Sequence, residues 1–211
     1  MEKRKILGFL HYTTELGDGT RSAVVMDSCS GTCSHLCAPY RFVKEHAFGE
    51  DALEKNWYSA EELTAYLKEE KLLCYTKQLG ITILGKEPLS DPLYCRDVAF
   101  GIRNLGMNLH LHTCLHCDPT ALDLLYGLVD LFCVNFFTPI PGRHHPFKGY
   151  SYDRVRENLY YMDQKGFPYR LRVFVVPGIN DDSAVAVMQF VKTLTGMKSL
   201  ILDFTHSHLT E

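Results

Sequence analysis

Hydrophobic and polar positions alternate along this chain in two rhythms. Short β-branched or apolar runs occupy residues 22–28 (SAVVMDS), 81–84, 108–113, 131–137, 171–176 and 200–204, and each has the composition and length of a strand. Between them lie longer amphipathic stretches with recognisable helix starts. Ser59-Ala60-Glu61-Glu62 is a capping box and predicts a helix through about Gln78. Asp91-Pro92 and Asp118-Pro119 each set an N-cap before a proline at the first helical position. Ser151 is placed to cap a helix to Gln164, with Gly166 closing it, and Asn180 to cap another that ends near Gly196. Every strand but the last is followed by a helix.

That alternation predicts right-handed βα crossovers and a parallel α/β sheet in one domain, residues 1–211. Ligands in such sheets collect at the carboxyl ends of the strands. The one long loop, residues 138–150 (TPIPGRHHPFKGY), belongs to that end.

Composition narrows the function. The 211 residues, 46% hydrophobic and 22% charged, suit one soluble globular core. With 22 basic and 25 acidic residues the net charge is −3, so no nucleic-acid partner is expected. No apolar run approaches the roughly 20 residues of a membrane helix, and Met1-Glu2-Lys3-Arg4-Lys5 leads into no secretory h-region. The expected location is the reducing cytoplasm, away from any membrane, where eight cysteines do not form a disulfide framework.

Three of those cysteines stand on one short loop directly after the first of these strands: Cys29-Ser-Gly-Thr-Cys33-Ser-His-Leu-Cys37-Ala-Pro39. Thiolates so placed can converge on a soft centre, either zinc or an iron–sulfur cluster, although three free cysteines in a loop would read the same way. A closed zinc site recruits a fourth protein ligand, whereas three cysteines leave one corner of a cubane open.

At this point the chain resembles the radical S-adenosylmethionine superfamily, and within it the short activating enzymes of glycyl-radical enzymes, such as the pyruvate formate-lyase activating enzymes. The resemblance runs over nearly the whole chain. Ile6-Leu7-Gly8-Phe9-Leu10-His11 through Asp18-Gly19-Thr20-Arg21 is similar to the family's opening strand and Asp-Gly turn. Gly85-Lys86-Glu87-Pro88 stands where the family has Gly-Gly-Glu-Pro, and Val175-Val176-Pro177-Gly178-Ile179-Asn180-Asp181-Asp182 resembles its Val-Val-Pro-Gly-x-x-Asp-Asp.

The resemblance implies a partial (β/α)6 TIM-like barrel with a [4Fe–4S] cluster on Cys29, Cys33 and Cys37. The unligated iron would bind S-adenosyl-L-methionine. Reduction by an external flavodoxin- or ferredoxin-type protein would cleave the nucleotide to a 5′-deoxyadenosyl radical, which abstracts hydrogen from a glycine of a partner protein. It also implies cofactor-binding roles for Gly85, Lys86, Glu87, Thr113, Asn135, Arg172 and His206. Other radical reactions, on ribonucleotide reductase or a peptide, and a non-catalytic metal- or partner-binding homologue are the alternatives.

The chain departs from the family pattern in the cysteine loop, where Cys-x3-Cys-x3-Cys replaces Cys-x3-Cys-x2-Cys and Leu36 holds the usual third-ligand position. It also carries His112-Thr113-Cys114 and Asn135-Phe136-Phe137 where the family has Asp-Thr-Asn and Asp-Leu-Lys, which predicts that no monovalent cation sits beside the nucleotide. His110, His112, Cys114, His116 and Cys117 form a second metal-like group, read first as strand and turn residues lining a cavity. His144-His145 reads as surface, Cys74, Cys95 and Cys133 as buried small hydrophobes, and Tyr160-Tyr161 as a helix core face.

Overall fold

The computed structural model describes residues 2–27, 56–73, 79–85, 87–140, 151–175, 178 and 180–204, together with the backbone of Thr32–Cys33 and Phe147–Lys148. The six expected strands are all present: β2 (Arg21–Met26), β5 (Gly80–Gly85), β6 (Leu109–Thr113), β7 (Leu131–Phe136), β9 (Tyr169–Phe174) and β10 (Leu200–Asp203). They pair in parallel and in chain order, as the staves of an unrolled barrel do. β2, β5, β6 and β7 are buried at every position, the mark of strands covered on both faces.

Two further strands widen the sheet. β1 (Arg4–Thr13) and β4 (Trp57–Tyr58) add antiparallel at the β2 edge, giving the order β10-β9-β7-β6-β5-β2-β1-β4. The six-strand periodicity omitted β1, because its run RKILGFLHYT has no clean alternation to announce a strand. Thr32–Cys33 (β3) and Phe147–Lys148 (β8) pair separately in a two-stranded ribbon.

Helices α1 (Ala60–Leu73), α2 (Pro92–Asn104), α3 (Pro119–Asp123), α4 (Tyr152–Lys165) and α5 (Ala184–Val191) connect the parallel strands. Their starts follow the sequence: Ser59 and Glu62 exchange capping hydrogen bonds of 3.2 and 2.9 Å. Asp91, Asp118 and Ser151 accept from Tyr94, Thr120 and Arg154, and Gly166 closes α4 in the left-handed conformation. Leu63 and Leu67 of α1, Val98 and Ile102 of α2, and Val155, Leu159 and Met162 of α4 recur at helical spacing and meet one strand face: Ile81, Ile83, Leu111, Phe132, Val134, Leu171 and Val173. Tyr160 and Tyr161 border this core as expected, Tyr160 standing edge-on to Phe190 with centroids 5.9 Å apart.

Two helix expectations need correction. The helix after Asn180 is a 3-10 turn, Asp181–Ser183, followed by α5, and it stops at Val191 instead of near Gly196. Asn180 caps nothing with its side chain. Its amide donates instead to the carbonyls of Phe137 (2.8 Å) and Phe174 (2.6 Å), clamping the carboxyl ends of β7 and β9. After α1, residues 74–78, including Cys74, lie outside the described residues.

Candidate functional site

Because strand side chains alternate, the face opposite the helices carries the even-numbered positions of β5, β6 and β9 and the odd-numbered ones of β2 and β7. That face is unusually polar: Arg21, Thr82, His110, His112, Cys133, Asn135, Arg170 and Arg172. It divides into three layers.

The lowest layer is built on Arg21, only 1% exposed. Its Nε donates to Thr82 Oγ1 (2.7 Å), and its two terminal nitrogens donate to the carbonyls of Asp18, Ile81 and Asn108 and to Asn108 Oδ1. All five N–H donors of a guanidinium therefore have acceptors. Burial lowers the Arg21 pKa to about 10, which leaves the group charged at neutral pH. The turn of residues 14–20 folds over this layer, with Thr82 Oγ1 donating to the Leu16 carbonyl at 3.0 Å. Gly17, at φ +145°, comes so close that a Cβ there would meet His110 Nδ1 at 2.4 Å.

In the middle layer His112, Cys133 and Arg170 are neighbours in register across β6, β7 and β9. Burial pushes His110 down to about 4 and His112 to about 3, aided by Arg21 and Arg172 respectively, so both rings are neutral at pH 7. Burial also raises the Cys133 thiol to about 11, keeping it protonated. Above it, Asn135 pairs in register with Arg172. Arg172 donates from Nε (2.8 Å) and Nη2 to Asp203 Oδ2.

A cavity of about 450 Å³ opens beside these two layers, between β10 and the 14–20 turn. His112, Cys133, Arg170 and Arg172 line its inner wall, and Leu16, Ile201 and Phe204 give it an apolar side.

The carboxyl rim carries the most specific local structure. Gly85 ends β5 at φ +144°, paired with Met26, and a Cβ there would stand 2.2 Å from the Met26 carbonyl oxygen. Two residues on, the fully buried Glu87 accepts from Thr113 Oγ1 (2.7 Å), the Cys114 amide (2.7 Å) and the Leu89 amide (3.0 Å). Burial raises its pKa against the opposing effect of those hydrogen bonds. Glu87 thus ties the end of β5 to the end of β6. The β3–β8 ribbon joins the chain beyond β2 to the chain beyond β7, and so brings the Cys33 backbone to the segment of the 138–150 loop.

Of the residues singled out in the sequence, the structure places Gly85, Glu87 and Thr113 on one rim and Asn135 and Arg172 on adjacent strands of the interior. Cys29, Cys37, Lys86, His144, His145 and His206 lie outside the described residues, and of Cys33 only the backbone is described. Cys95 is buried in the core as expected, whereas Cys133 is buried on the cavity wall. The His/Cys group of residues 110–117 does not converge. β6 ends at Thr113, Leu115 turns the chain at φ +56°, and Cys117 is buried against Asn158. Among the described residues, no three His, Cys, Asp or Glu side chains could hold a metal. Arg21, Arg170 and Asp203 are the functional-face residues that periodicity did not single out as partners. The signal was present in Tyr169-Arg170-Leu171-Arg172, where a charge falls at every second position of a strand.

Parallel strands in chain order, with a polar interior and a glycine–glutamate rim at the carboxyl ends, define a partial TIM-like α/β barrel. Among the proteins similar to it are glycyl-radical-enzyme activating enzymes of the radical S-adenosylmethionine type. The benzylsuccinate synthase activating enzyme of Thauera aromatica is 29% identical over 106 residues, 50% of this chain and 32% of the relative. The choline trimethylamine-lyase activating enzyme of Oleidesulfovibrio alaskensis is 23% identical over 120 residues, 57% and 39% of the two chains. The chain thus spans only about a third of the length of the first of these curated relatives and about two-fifths of the second. A domain of pyruvate-formate lyase-activating enzyme from Bacteroides vulgatus superposes with a TM-score of 0.55 at 19% identity, covering 60% of this chain and 81% of that one. Streptococcus suis SuiB bound to S-adenosylmethionine gives 0.54 at 14% identity, covering 72% and 35%. These superpositions establish a shared fold. No family model matches the chain. Among the described residues, no helix is long and apolar enough to cross a membrane.

Proposed function

We propose that this chain is the radical S-adenosylmethionine domain of a glycyl-radical-enzyme activase, with Cys29, Cys33 and Cys37 holding a [4Fe–4S] cluster. The observation that carries the reading is the Gly85–Glu87 rim. It is a strand end stripped of side chain, pinned by a buried carboxylate, and adjacent to the end of the strand from which the cysteine loop departs. The interior suits a polar nucleotide, since both amide atoms of the buried Asn135 lack hydrogen-bond partners. The donor set suits iron, as three thiolates on one loop satisfy three corners of a cubane.

In this reading Gly85 lets the main chain of β5 approach the methionyl end of the nucleotide, and Glu87 keeps that backbone in place. Asn135 and Arg172 present an amide and a guanidinium from neighbouring strands, and Asp203 fixes the orientation of Arg172. The cluster, when bound, supplies one-electron cleavage of the sulfonium and the carbon radical that removes hydrogen from a partner glycine. The partner is a glycyl-radical enzyme or a related protein, and a flavodoxin- or ferredoxin-type protein supplies the electron.

The test is anaerobic reconstitution with iron and sulfide. About four irons per chain, and 5′-deoxyadenosine formed from S-adenosylmethionine and dithionite, are expected. Substitution of Cys29, Cys33 or Cys37 by Ala should abolish both. Zinc in place of iron, or a full cluster with no nucleotide cleavage, overturns the proposal. Mass spectrometry of the partner, seeking the fragment left when oxygen cuts at a glycyl radical, separates this reaction from other radical chemistry.

A further inference from the structure

Helix α4 turns a polar side chain into the core. Asn158 is 1% exposed and shares the buried face of the helix with Val155, Leu159 and Met162. Its side-chain nitrogen donates to two carbonyls of the turn beyond β6, those of Leu115 (2.8 Å) and Cys117 (2.9 Å). The amide oxygen, Oδ1, is buried and has no hydrogen-bond partner among the described residues. A leucine would fill this helix position without stranding that oxygen. The asparagine therefore serves the turn and not the packing of α4.

The turn carries a conformational cost of its own. Leu115 sits at φ +56°, in the left-handed region that a side chain disfavours, and it is fully buried in the core. Glycine would relieve the backbone and forfeit that burial. The conformation sorts the polar groups of the turn onto two sides. The carbonyls of Leu115 and Cys117 face α4, while the amides face the rim. Cys114 donates to Glu87 Oε2 (2.7 Å) and Leu115 to Thr113 Oγ1 (2.9 Å), whose hydroxyl donates in turn to Glu87 Oε1 (2.7 Å). A strained backbone and an orphaned polar atom thus occur together where the chain reaches Glu87.

We infer that Asn158 is a positioning residue for the rim. By holding the Leu115 and Cys117 carbonyls it keeps Leu115 left-handed. The Cys114 amide and the Thr113 hydroxyl are thereby presented to Glu87, which ties the end of β5 to the end of β6. The consequence for S-adenosylmethionine rests on the activase reading, whereas the clamp itself does not.

The test is native-state hydrogen exchange of the full chain, followed at the Cys114 and Leu115 amides by ¹⁵N NMR. Ile83 and Leu111, paired in the sheet, report global opening. In Asn158→Leu both turn amides should exchange at least about tenfold faster than the change at Ile83 and Leu111 accounts for. Leu115→Gly removes the strain that the clamp resists, so adding Asn158→Leu to it should speed the same amides by less than about threefold. In the reconstituted enzyme, Asn158→Leu should raise the KM for S-adenosylmethionine at least about fivefold with kcat within about twofold, the pattern of lost binding. Turn amides that only follow global opening, an equal effect of Asn158→Leu in the glycine background, or an unchanged KM overturns the inference. Should Asn158→Leu fail to fold, Asn158→Ser carries the same comparison. A parent chain that makes no 5′-deoxyadenosine refutes the activase reading, and the exchange data still decide the role of Asn158.

Discussion

Replacing Glu87 tests the rim directly, because so many groups converge on one carboxylate. In Glu87→Gln the retained carbonyl oxygen can still accept from Thr113 Oγ1 and the Leu89 amide, both of which meet Oε1. The new NH₂ then faces the Cys114 amide, donor against donor. One buried N–H left unpaired costs about 1–3 kcal/mol. Glu87→Ala removes the acceptor for all three groups and should cost about 3–5 kcal/mol, less than three full penalties because water can enter the space. The assay is urea unfolding at pH 7, read as a lowered midpoint at constant slope. The pH dependence supplies a second check. Burial raises the Glu87 pKa, so the folded state binds the proton more tightly than the unfolded chain does. Stability contributed by this group therefore falls as pH rises from the ordinary carboxylate range through the raised value. Glu87→Gln should flatten that slope. Variants within about 0.5 kcal/mol of the parent, with an unchanged pH slope, would refute the claim that Glu87 holds the rim together.

Four further perturbations follow, three of them in the rim and layers described and one a control outside them. Gly85→Ala forces a Cβ to within 2.2 Å of the Met26 carbonyl oxygen at φ +144°, and should cost more than about 2 kcal/mol. Gly106→Ala, at φ +66° with its nearest neighbour 3.9 Å away, should cost only about 1 kcal/mol, and thermal melts of the pair compare the two. Arg21→Met leaves the Ile81 and Asn108 carbonyls without this donor and should lower stability by about 2–4 kcal/mol in urea unfolding. His110 and His112 have folded pKa values depressed to about 4 and 3, so the unfolded state binds protons more readily below about pH 6.5. Their contribution to stability is lost as pH falls from that value toward 4 and then 3. His112→Gln should make acid unfolding, followed by circular dichroism, less steep across that window.

What the sequence made legible was local. A helix start is decided by a residue and the amides two or three positions ahead, so Ser59, Asp91, Asp118 and Ser151 announced their helices directly. Parallel strands buried on both faces read as apolar runs and were found within a residue or two. The end of α5 was not legible, because the apolar pattern continues to Leu194 while the helix does not. The Thr193 hydroxyl donates to the Phe190 carbonyl at 2.7 Å, a side-chain bond that competes with helix continuation. The site divides in the same way. The Gly85–Glu87 motif could be read in place, and its contact with Thr113 spans 26 residues of chain. The pairing of Arg170 with Asp18 joins residues 152 apart, and Arg21 reaches Thr82 and Asn108 across 61 and 87. Such partners are set by how the sheet curls, and no spacing rule reports it.

The layers also differ in how many of their polar groups the protein itself satisfies. Around Arg21 every donor of the guanidinium is satisfied by the protein, while Nδ1 of the neighbouring His110 is buried without a partner. One layer higher, Nε2 of His112 and Nε of Arg170 are buried without partners, and above them both amide atoms of Asn135 are too. Each orphan of this kind costs about 1–3 kcal/mol, and an apolar side chain of similar shape would avoid that cost. Four such atoms within two adjacent layers, beside a cavity of about 450 Å³, are an expensive way to build a core and an ordinary way to build a receptor.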